Sequence, residues 1–307
     1  MAKRRIGIVA LVLWLLSYSV LAVSTTDAKE PIITDAECEL TLCYRNGETA
    51  FADEPVALYQ IADVSSDFQY TLRENFVASG LILNGIQNNG EWDVIRSTLK
   101  AFIVGNDIAP TKTAVTDASG EVHLTQLETG LYLVSAVCAE GYFFDSALIA
   151  LPNLNSDGFW QYQVTVLPKG GEIDDEEIEL KVLKLWKGDG SGKNRPVSIE
   201  VEIFCDEVSV ETVILSEENN WSYSWKAKDD GAVWTVVERN IPTGYTVSVE
   251  DRTTTFVLTN TLNKPDAPKP PHTGDTSNIL LYIVLMHVSG IALVIFGLTR
   301  KRKQHES

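Results

Sequence analysis

The chain has 307 residues, with 25 basic and 42 acidic side chains that give a net charge of −17 at pH 7. A surface this acidic repels phosphate and anionic lipid, so nucleic acid and anionic membrane surfaces are disfavoured as partners. Four histidines and four cysteines are little material for a metal cluster, a histidine-based hydrolase or a disulfide-framed scaffold. We therefore expect no cofactor, no metal and no enzyme activity.

Residues 1–22 have the pattern of a secretory signal peptide. Lys3, Arg4 and Arg5 precede an apolar stretch at 6–20, and small residues suited to cleavage end at Ala22. The mature, exported chain is expected to begin near Val23. An uncleaved amino-terminal anchor is the alternative.

Residues 33–169 are predicted to form a β domain. Their apolar or alternating runs are short and are bounded by Gly, Asn, Asp or Pro, which is typical of strands. The predicted strands are 38–44, 56–62, 121–124, 131–138, 146–151 and 162–167.

One segment of this domain, 91–104, departs from the strand pattern. Its apolar residues recur at helical spacing, so one amphipathic helix is expected to pack on the sheets. These residues are Trp92, Ile95, Leu99, Phe102 and Ile103.

The cysteines allow one disulfide bond in an exported protein. Cys38 or Cys43 is able to pair with Cys138, whereas Cys205 lies far along the chain. Because Cys205 alternates with Val201 and Ile203, we expect it to be a small buried apolar residue.

The end of this domain carries a motif of its own. Trp160, Val164, Val166, Pro168 and Lys169 are spaced as in W-x-x-x-V-x-V-Y-P-K, with leucine in place of the tyrosine. This motif resembles that of Gram-positive pilins of the Spa type, whose amino-terminal domain the region 36–169 also resembles. In shaft pilins the motif lysine accepts the sorting-signal threonine of the next subunit, so the resemblance implies that Lys169 is a polymerisation lysine. The alternative is that Lys169 is only a solvated residue.

A linker and a second β domain follow. Residues 170–179 contain two glycines and six acids, the composition of a solvated, self-repelling linker. Residues 180–262 are predicted to form a β-sandwich of seven short strands. These strands are 180–186, 198–204, 210–215, 221–225, 234–238, 245–249 and 255–262.

Three polar residues of this domain fall on apolar strand faces. Because alternate side chains of a strand share a face, Lys184, Glu238 and Asn260 are expected to point inward. Burial favours the neutral forms of lysine and glutamate, and a neutral lysine amine is a nucleophile toward an asparagine carboxamide polarised by a protonated glutamate. A buried ion pair with Asn260 as a bystander is the alternative.

The strand sequences around these residues resemble the Cna B-type domain of surface adhesins and pilins. The matching segments are 182–186, 194–198, 238–245, which has the form E-x-x-x-P-x-G-Y, and 256–261. In that family an isopeptide bond joins the lysine of the first strand to the asparagine of the last, and a glutamate assists. The resemblance implies these roles for Lys184, Asn260 and Glu238.

The carboxy-terminal residues have the order of a surface anchor. A Pro-rich stalk at 263–278 precedes an apolar run at 279–298, which is long enough to span a bilayer as a helix, and a basic cytoplasmic tail at 299–307. Within the stalk stand Pro270, Pro271, His272, Thr273 and Gly274.

This order resembles the cell-wall sorting signal of Gram-positive surface proteins, Leu-Pro-x-Thr-Gly, with Pro270 in place of the leucine. The resemblance implies that a sortase cleaves after Thr273 and transfers the acyl group to peptidoglycan precursor or to another pilin subunit. A single-pass membrane protein with a Pro-rich stalk is the alternative.

Together these features predict an all-β protein with two Ig-like or prealbumin-like β-sandwich domains in tandem. We expect an exported cell-wall protein that acts as a pilin subunit or a wall-anchored adhesin, stabilised by an isopeptide bond. A monomeric adhesin that binds a host or matrix protein and stays in the membrane is the alternative. The sequence does not indicate the ligand, the sortase, or a shaft, base or tip position.

Overall fold

The computed structural model describes residues 30–174, 176–190, 192 and 195–263. The predicted signal peptide, the sorting signal, the apolar span, the basic tail and all of the stalk except Asn263 lie outside the described residues. Within the described ranges, no helix has both the length and the apolar character that a membrane crossing requires.

The elements that precede residue 174 are called the first domain. All six predicted strands correspond to observed ones, and the segment predicted as one strand at 131–138 is divided into two. In chain order the elements are β1 Cys38–Cys43, β2 Arg45–Asn46, β3 Thr49–Ala50, β4 Pro55–Val64, β5 Tyr70–Leu72, α1 Glu74–Val77, α2 Asn89–Asn106, β6 Lys112–Val115, β7 Glu121–Leu127, β8 Gly130–Val134, β9 Val137–Ala139, β10 Tyr142–Phe144, β11 Ala147–Leu151, β12 Asn153–Leu154, β13 Trp160–Gln161, β14 Gln163–Val166 and β15 Gly170–Glu172.

Two sheets enclose the core of the first domain. One has the order β14-β1-β7, and the other has the order β11-β8-β4-β5 with β6 paired to β4. Strand β8 is buried along its whole length because its sheet is covered on both faces. One face packs toward β1 through Leu58, Tyr132 and Val134, and the other packs under α2 through residues such as Ile61 and Leu133.

Helix α2 confirms the helix predicted from periodicity and is two residues longer at each end. Its first turn is capped because the Asn88 side chain accepts a hydrogen bond from the Glu91 backbone N–H at 3.0 Å. Its last turn ends at Asp107, which adopts the left-handed conformation. Helix α1 was not predicted, since four residues are too few to show a periodicity.

The linker predicted at 170–179 is largely β structure. Gly170–Glu172 pairs with β10, and the first strand of the second domain begins at Glu177. The reason is steric: a Cβ at Gly170 would lie 2.1 Å from the Phe143 carbonyl oxygen, so glycine permits this close backbone pairing. The acidic composition of the segment had indicated a solvated linker instead.

The cysteines differ from the sequence expectation in two ways. All four are free thiols, because Cys138 lies on β9, in a different sheet from the strand β1 that carries Cys38 and Cys43. The Cys138 thiol instead faces the Asp230 carbonyl of the second domain at 3.8 Å. Cys205 is half-buried rather than buried, since a register shift between Ile203 and Phe204 interrupts the alternation of its strand.

The elements after residue 176 are called the second domain, and they include all seven predicted strands. They are β16 Glu177–Lys187, β17 Ser198–Cys205, β18 Val208–Ser216, a 3₁₀ turn at Glu217–Asn219, β19 Ser222–Lys228, β20 Trp234–Arg239, β21 Tyr245–Arg252 and β22 Thr255–Leu262. Two sheets, β19-β16-β22-β21 and β18-β17-β20, pack face to face, which confirms the predicted sandwich.

The first and last strands of the second domain lie side by side. Strands β16 and β22 pair in parallel, with Lys184 opposite Leu258 and Trp186 opposite Asn260. Lys184 and Asn260 therefore lie on neighbouring strands, and strand alternation turns both side chains toward the core.

Candidate intramolecular cross-link site

Three strands from both sheets supply the polar cluster of the second domain. β16 carries Lys184 and β22 carries Asn260 in one sheet, and β20 carries Glu238 in the other. On each of these strands the preceding residue of the same facing series is apolar and buried: Val182, Val236 and Leu258. Hydrophobic burial of the strand therefore carries the polar side chain inward with it. The structure thus brings together the three residues that the sequence predicted to face inward.

The cluster is compact and fully enclosed. The Lys184 Nζ donates to Glu238 Oε2 at 2.7 Å, and the Asn260 Nδ2 donates to Glu238 Oε1 at 2.6 Å. The side chains of Lys184 and Glu238 are inaccessible to solvent, and Asn260 is 0% exposed. Both carboxylate oxygens of Glu238 are therefore engaged, one by the amine and one by the carboxamide.

Burial changes the acidity of the lysine. Removal from water lowers the pKa of Lys184 to about 8, although the charge and hydrogen bond of Glu238 act in the opposite direction. The Trp186 ring also faces the amine, with its centroid 4.8 Å from Nζ. A substantial fraction of this amine is thus neutral, and therefore nucleophilic, at a pH near 8.

The carboxamide of Asn260 has one unsatisfied group. Its Oδ1 is buried and has no hydrogen-bond partner among the described residues, a costly condition for a polar atom in a protein interior. A carboxamide that turned by half a rotation about Cβ–Cγ would present this oxygen to Glu238. A protonated Glu238 would then donate to it and make the Asn260 Cγ more electrophilic.

Lys169 lies outside this cluster, between β14 and β15 of the first domain. Val164 and Val166 of β14 pack against the first-domain core, Pro168 is buried, and Lys169 is exposed. The Lys169 carbonyl accepts a hydrogen bond from the Asp145 N–H at 2.7 Å. The backbone is therefore fixed at this point while the side chain extends into solvent.

The predicted sorting-signal residues, Pro270 to Gly274, lie outside the described residues. Among the residues that are described, no group of three or more histidine, cysteine, aspartate or glutamate side chains has an arrangement able to hold a metal ion.

The sequence prediction missed one face of α2, which packs against β20 and β21 of the second domain. Ser97, Thr98 and Ala101 are buried, although they lie outside the apolar stripe from which the helix was predicted. The small size of the residues on this face was the available indication, because small side chains permit close packing of a helix against another element.

The fold and the buried cluster define the second domain as a structural β-sandwich with adjacent first and last strands. Residues 180–261 match the Cna protein B-type domain family. The sequence motifs of this region predicted this match.

Individual relatives are similar over limited lengths. The collagen adhesin of Staphylococcus aureus is 35% identical over 106 residues, which cover 31% of this chain and 9% of the adhesin. The chain thus corresponds to a small part of that relative.

Several solved structures have limited similarity to the chain. A single B repeat unit of the collagen binding surface protein of Staphylococcus aureus is 17% identical, with 75% of this chain and 99% of that chain covered and a TM-score of 0.26. The shaft pilin SpaA of Lactobacillus rhamnosus GG is 14% identical, with 75% and 100% covered and a TM-score of 0.29. The major pilin SpaD of Corynebacterium diphtheriae is 13% identical, with 75% and 65% covered and a TM-score of 0.30.

Proposed function

We propose that this chain is a structural protein of the Gram-positive cell surface, a sortase substrate that serves as a pilin subunit or wall-anchored adhesin. Its second domain is closed by an isopeptide bond between Lys184 and Asn260, and Glu238 assists in forming that bond. The observation that carries the proposal is the enclosed cluster in which Glu238 bridges the other two side chains at 2.7 and 2.6 Å. The match of residues 180–261 to the Cna protein B-type domain family supports the same role.

The cross-linking reaction uses only these three side chains. The Lys184 ammonium transfers a proton to Glu238 along their hydrogen bond, and the neutral Nζ attacks the Asn260 Cγ. Glu238, now protonated, stabilises the developing charge on Oδ1. The Cγ–Nδ2 bond breaks, the leaving nitrogen takes one proton from the Lys184 nitrogen by way of Glu238, and one ammonia departs while Glu238 stays protonated. The product is an amide between Nζ and Cγ.

Energetics favour this reaction over a purely structural ion pair. A buried ion pair is weak evidence for stability, because the cost of removing two charges from water often exceeds their mutual attraction. Formation of the amide removes the lysine charge and replaces the unsatisfied Asn260 oxygen with one that a protonated Glu238 satisfies.

Mass spectrometry of tryptic peptides from the full chain tests the cross-link. We expect the peptides that contain Lys184 and Asn260 to be joined, with a combined mass lower by one ammonia, about 17 Da. Glu238→Gln is expected to abolish the joined species. Glu202→Gln is the matched control, since Glu202 pairs with Arg239 on the partly exposed side of the sheet. Separate peptides of unchanged mass from the wild-type chain would contradict the proposal.

The exposed amine of Lys169 supports a role in polymerisation, in which it accepts Thr273 of a neighbouring subunit. Coexpression of the full chain with a sortase is expected to give a ladder of covalent multimers that withstands boiling in detergent. Lys169→Ala is expected to remove the ladder, whereas Lys181→Ala, which alters another exposed lysine, leaves it intact. A ladder that persists in Lys169→Ala assigns polymerisation to another amine. Anchored monomer without any ladder favours the monomeric adhesin.

A further inference from the structure

Helix α2 of the first domain covers an open side of the second domain. β20 is an edge strand of one sheet and β21 is an edge strand of the facing sheet, so the sandwich is open between them. Helix α2 packs against both strands, while its apolar stripe remains in the first-domain core. Both domains belong to one compact unit, and this helix is shared between them.

The contact includes hydrogen bonds to the exposed edge of β21. The Thr98 hydroxyl accepts from the Val249 N–H at 2.9 Å. It donates to the Val94 carbonyl of its own helix at 2.7 Å, and the Val249 carbonyl lies 3.3 Å away. The Val249 N–H is thus satisfied by a side chain of the other domain. On β20, the Arg239 Nη1 donates to the Gly105 carbonyl at 2.5 Å. Edge strands need such partners, since their unpaired backbone groups otherwise remain open to water.

Packing at this contact is close enough that α2 contributes to the second-domain core. Ala101 is 5% exposed and belongs to the same buried cluster as Val182, Val236 and Leu258. At Gly105 an added Cβ would lie 2.7 Å from Val237 Cγ1, so a larger residue requires either the helix or the Val237 side chain to shift.

The helix also covers the strand that carries Glu238, whose side chain is inaccessible to solvent. A cleft of about 300 Å³ lies beneath α2, and its walls include Thr98, Ala101 and Glu238. If α2 moved outward, water would enter between β20 and β21. Water near the cluster would weaken the burial that lowers the pKa of Lys184 and would reduce the population of neutral amine.

We propose that α2 is a structural part of the cross-linking site, so that the Lys184–Asn260 bond forms at its full rate only when α2 is docked on β20 and β21. Thr98 and Gly105 are positioning residues of this reaction. The inference rests on the proposed function, because it concerns the same bond. It implies that covalent maturation of the second domain becomes fast once the first domain has folded and docked.

Cell-free synthesis of the full chain, followed by timed quenching in acid and denaturant, measures how fast the joined Lys184–Asn260 peptide accumulates. Thr98→Val keeps the shape of the side chain but removes the hydroxyl, and we expect accumulation about tenfold slower, as for the loss of one well-placed hydrogen bond. Thr98→Ser restores the hydroxyl and is expected to recover the wild-type rate to within about twofold. Gly105→Leu is expected to slow accumulation further.

Control substitutions at exposed positions away from β20 and β21 separate the effect of α2 docking from the general effects of substitution. Asn89→Leu alters an exposed residue in the first turn of the same helix, and Thr125→Val alters an exposed threonine on β7; both are expected to link at the wild-type rate. Limited proteolysis of the same samples is expected to reveal folded but unlinked second domain in Thr98→Val.

Two outcomes would overturn the inference, and they are distinguishable. If the wild-type chain links and Thr98→Val links equally fast, α2 has no part in the reaction, although the cross-link itself stands. If the wild-type chain never links, the proposed cross-link and this inference fail together.

Discussion

The two domains use the same strand arrangement but close it differently. In both, the first strand pairs in parallel with a late strand: β1 with β14, and β16 with β22. The inward residues of β1 are apolar, and Leu40 and Leu42 are 0% exposed, whereas β16 places Lys184 in the corresponding inward series. The parallel pairing of the first strand with a late strand therefore does not require buried polar residues. The buried cluster of the second domain needs a separate explanation.

Chemistry within the second domain supplies that explanation. An isopeptide bond from Lys184 to Asn260 would enclose 77 residues (260 − 184 + 1). Reasoning developed for disulfides assigns such a closed loop about 4 kcal/mol of stabilisation, with the mechanism dependent on the entropy model. The first domain would depend on packing alone, and the second would resist extension through a covalent bond.

The largest expected effect follows from Lys184→Met. It prevents the cross-link and leaves the Glu238 carboxylate buried without its partner, which costs about 3–5 kcal/mol for a broken buried pair in addition to the lost loop closure. Tryptophan fluorescence during denaturant unfolding measures this loss, because four of the tryptophans, Trp186, Trp221, Trp225 and Trp234, lie in the second domain.

The double variant Lys184→Met/Glu238→Leu is the control for the buried charge. It removes both ionisable groups, so it is expected to regain most of the stability lost to the unpaired carboxylate while remaining unlinked. Equal stability of the single and double variants would contradict this division of the effect.

Mechanical pulling gives the next largest contrast. In the wild-type chain we expect only the first domain to lengthen, by about 3.3–3.6 Å for each residue released, because the bond between β16 and β22 bypasses the rest of the second domain. Asn260→Ala cannot form the bond, so both domains are expected to lengthen. Single-molecule force spectroscopy distinguishes these cases, and a second full unfolding step in linked wild-type protein would refute the expectation.

Alkaline pH is expected to stabilise the second domain of the unlinked Asn260→Ala chain. Burial lowers the pKa of Lys184 from its ordinary 10.5 to about 8, so between these pH values the unfolded chain binds more protons than the folded one. The free energy of unfolding therefore rises with pH in this window, by at most about 1.4 kcal/mol per pH unit.

Two reference proteins separate the contribution of Lys184 to this pH dependence from that of other titrating groups. Lys184→Met/Asn260→Ala lacks the amine, and in linked wild-type protein the Lys184 nitrogen is an amide that does not titrate. Both are expected to lack the rise, which denaturant titrations between pH 7.5 and 10.5 would measure. A rise of the same size in the double variant would assign it to other residues.

The smallest expected effects concern the thiols of the first domain. Cys138 is exposed and Cys38 is buried, and burial raises the pKa of the Cys38 thiol to about 11. A thiol reagent is thus expected to modify Cys138 first and Cys38 last. Cys138→Ser is expected to change the free energy of unfolding by less than about 0.5 kcal/mol. A loss of several kcal/mol, as when a native disulfide is removed, would indicate a bridge.

Much of the fold was predictable because strand and helix patterns are local. The seven strands of the second domain and the helix α2 follow from alternation and helical spacing within short segments. Errors arose where a neighbour distant in sequence decided the structure. Gly170 pairs with β10 through a close backbone approach, and the bulge near Ile203 changes the environment of Cys205.

The sequence by itself determined that Lys184, Glu238 and Asn260 face the interior, because the side chains of a strand alternate with a period of two and their neighbours are apolar. Only the tertiary structure decided which buried groups meet. It placed Glu238 of one sheet between Lys184 and Asn260 of the other, and it placed the small-residue face of α2 against β20 and β21. A pattern along one strand or helix fixes the face on which a residue lies, whereas the residue opposite that face depends on packing between elements that are distant in sequence.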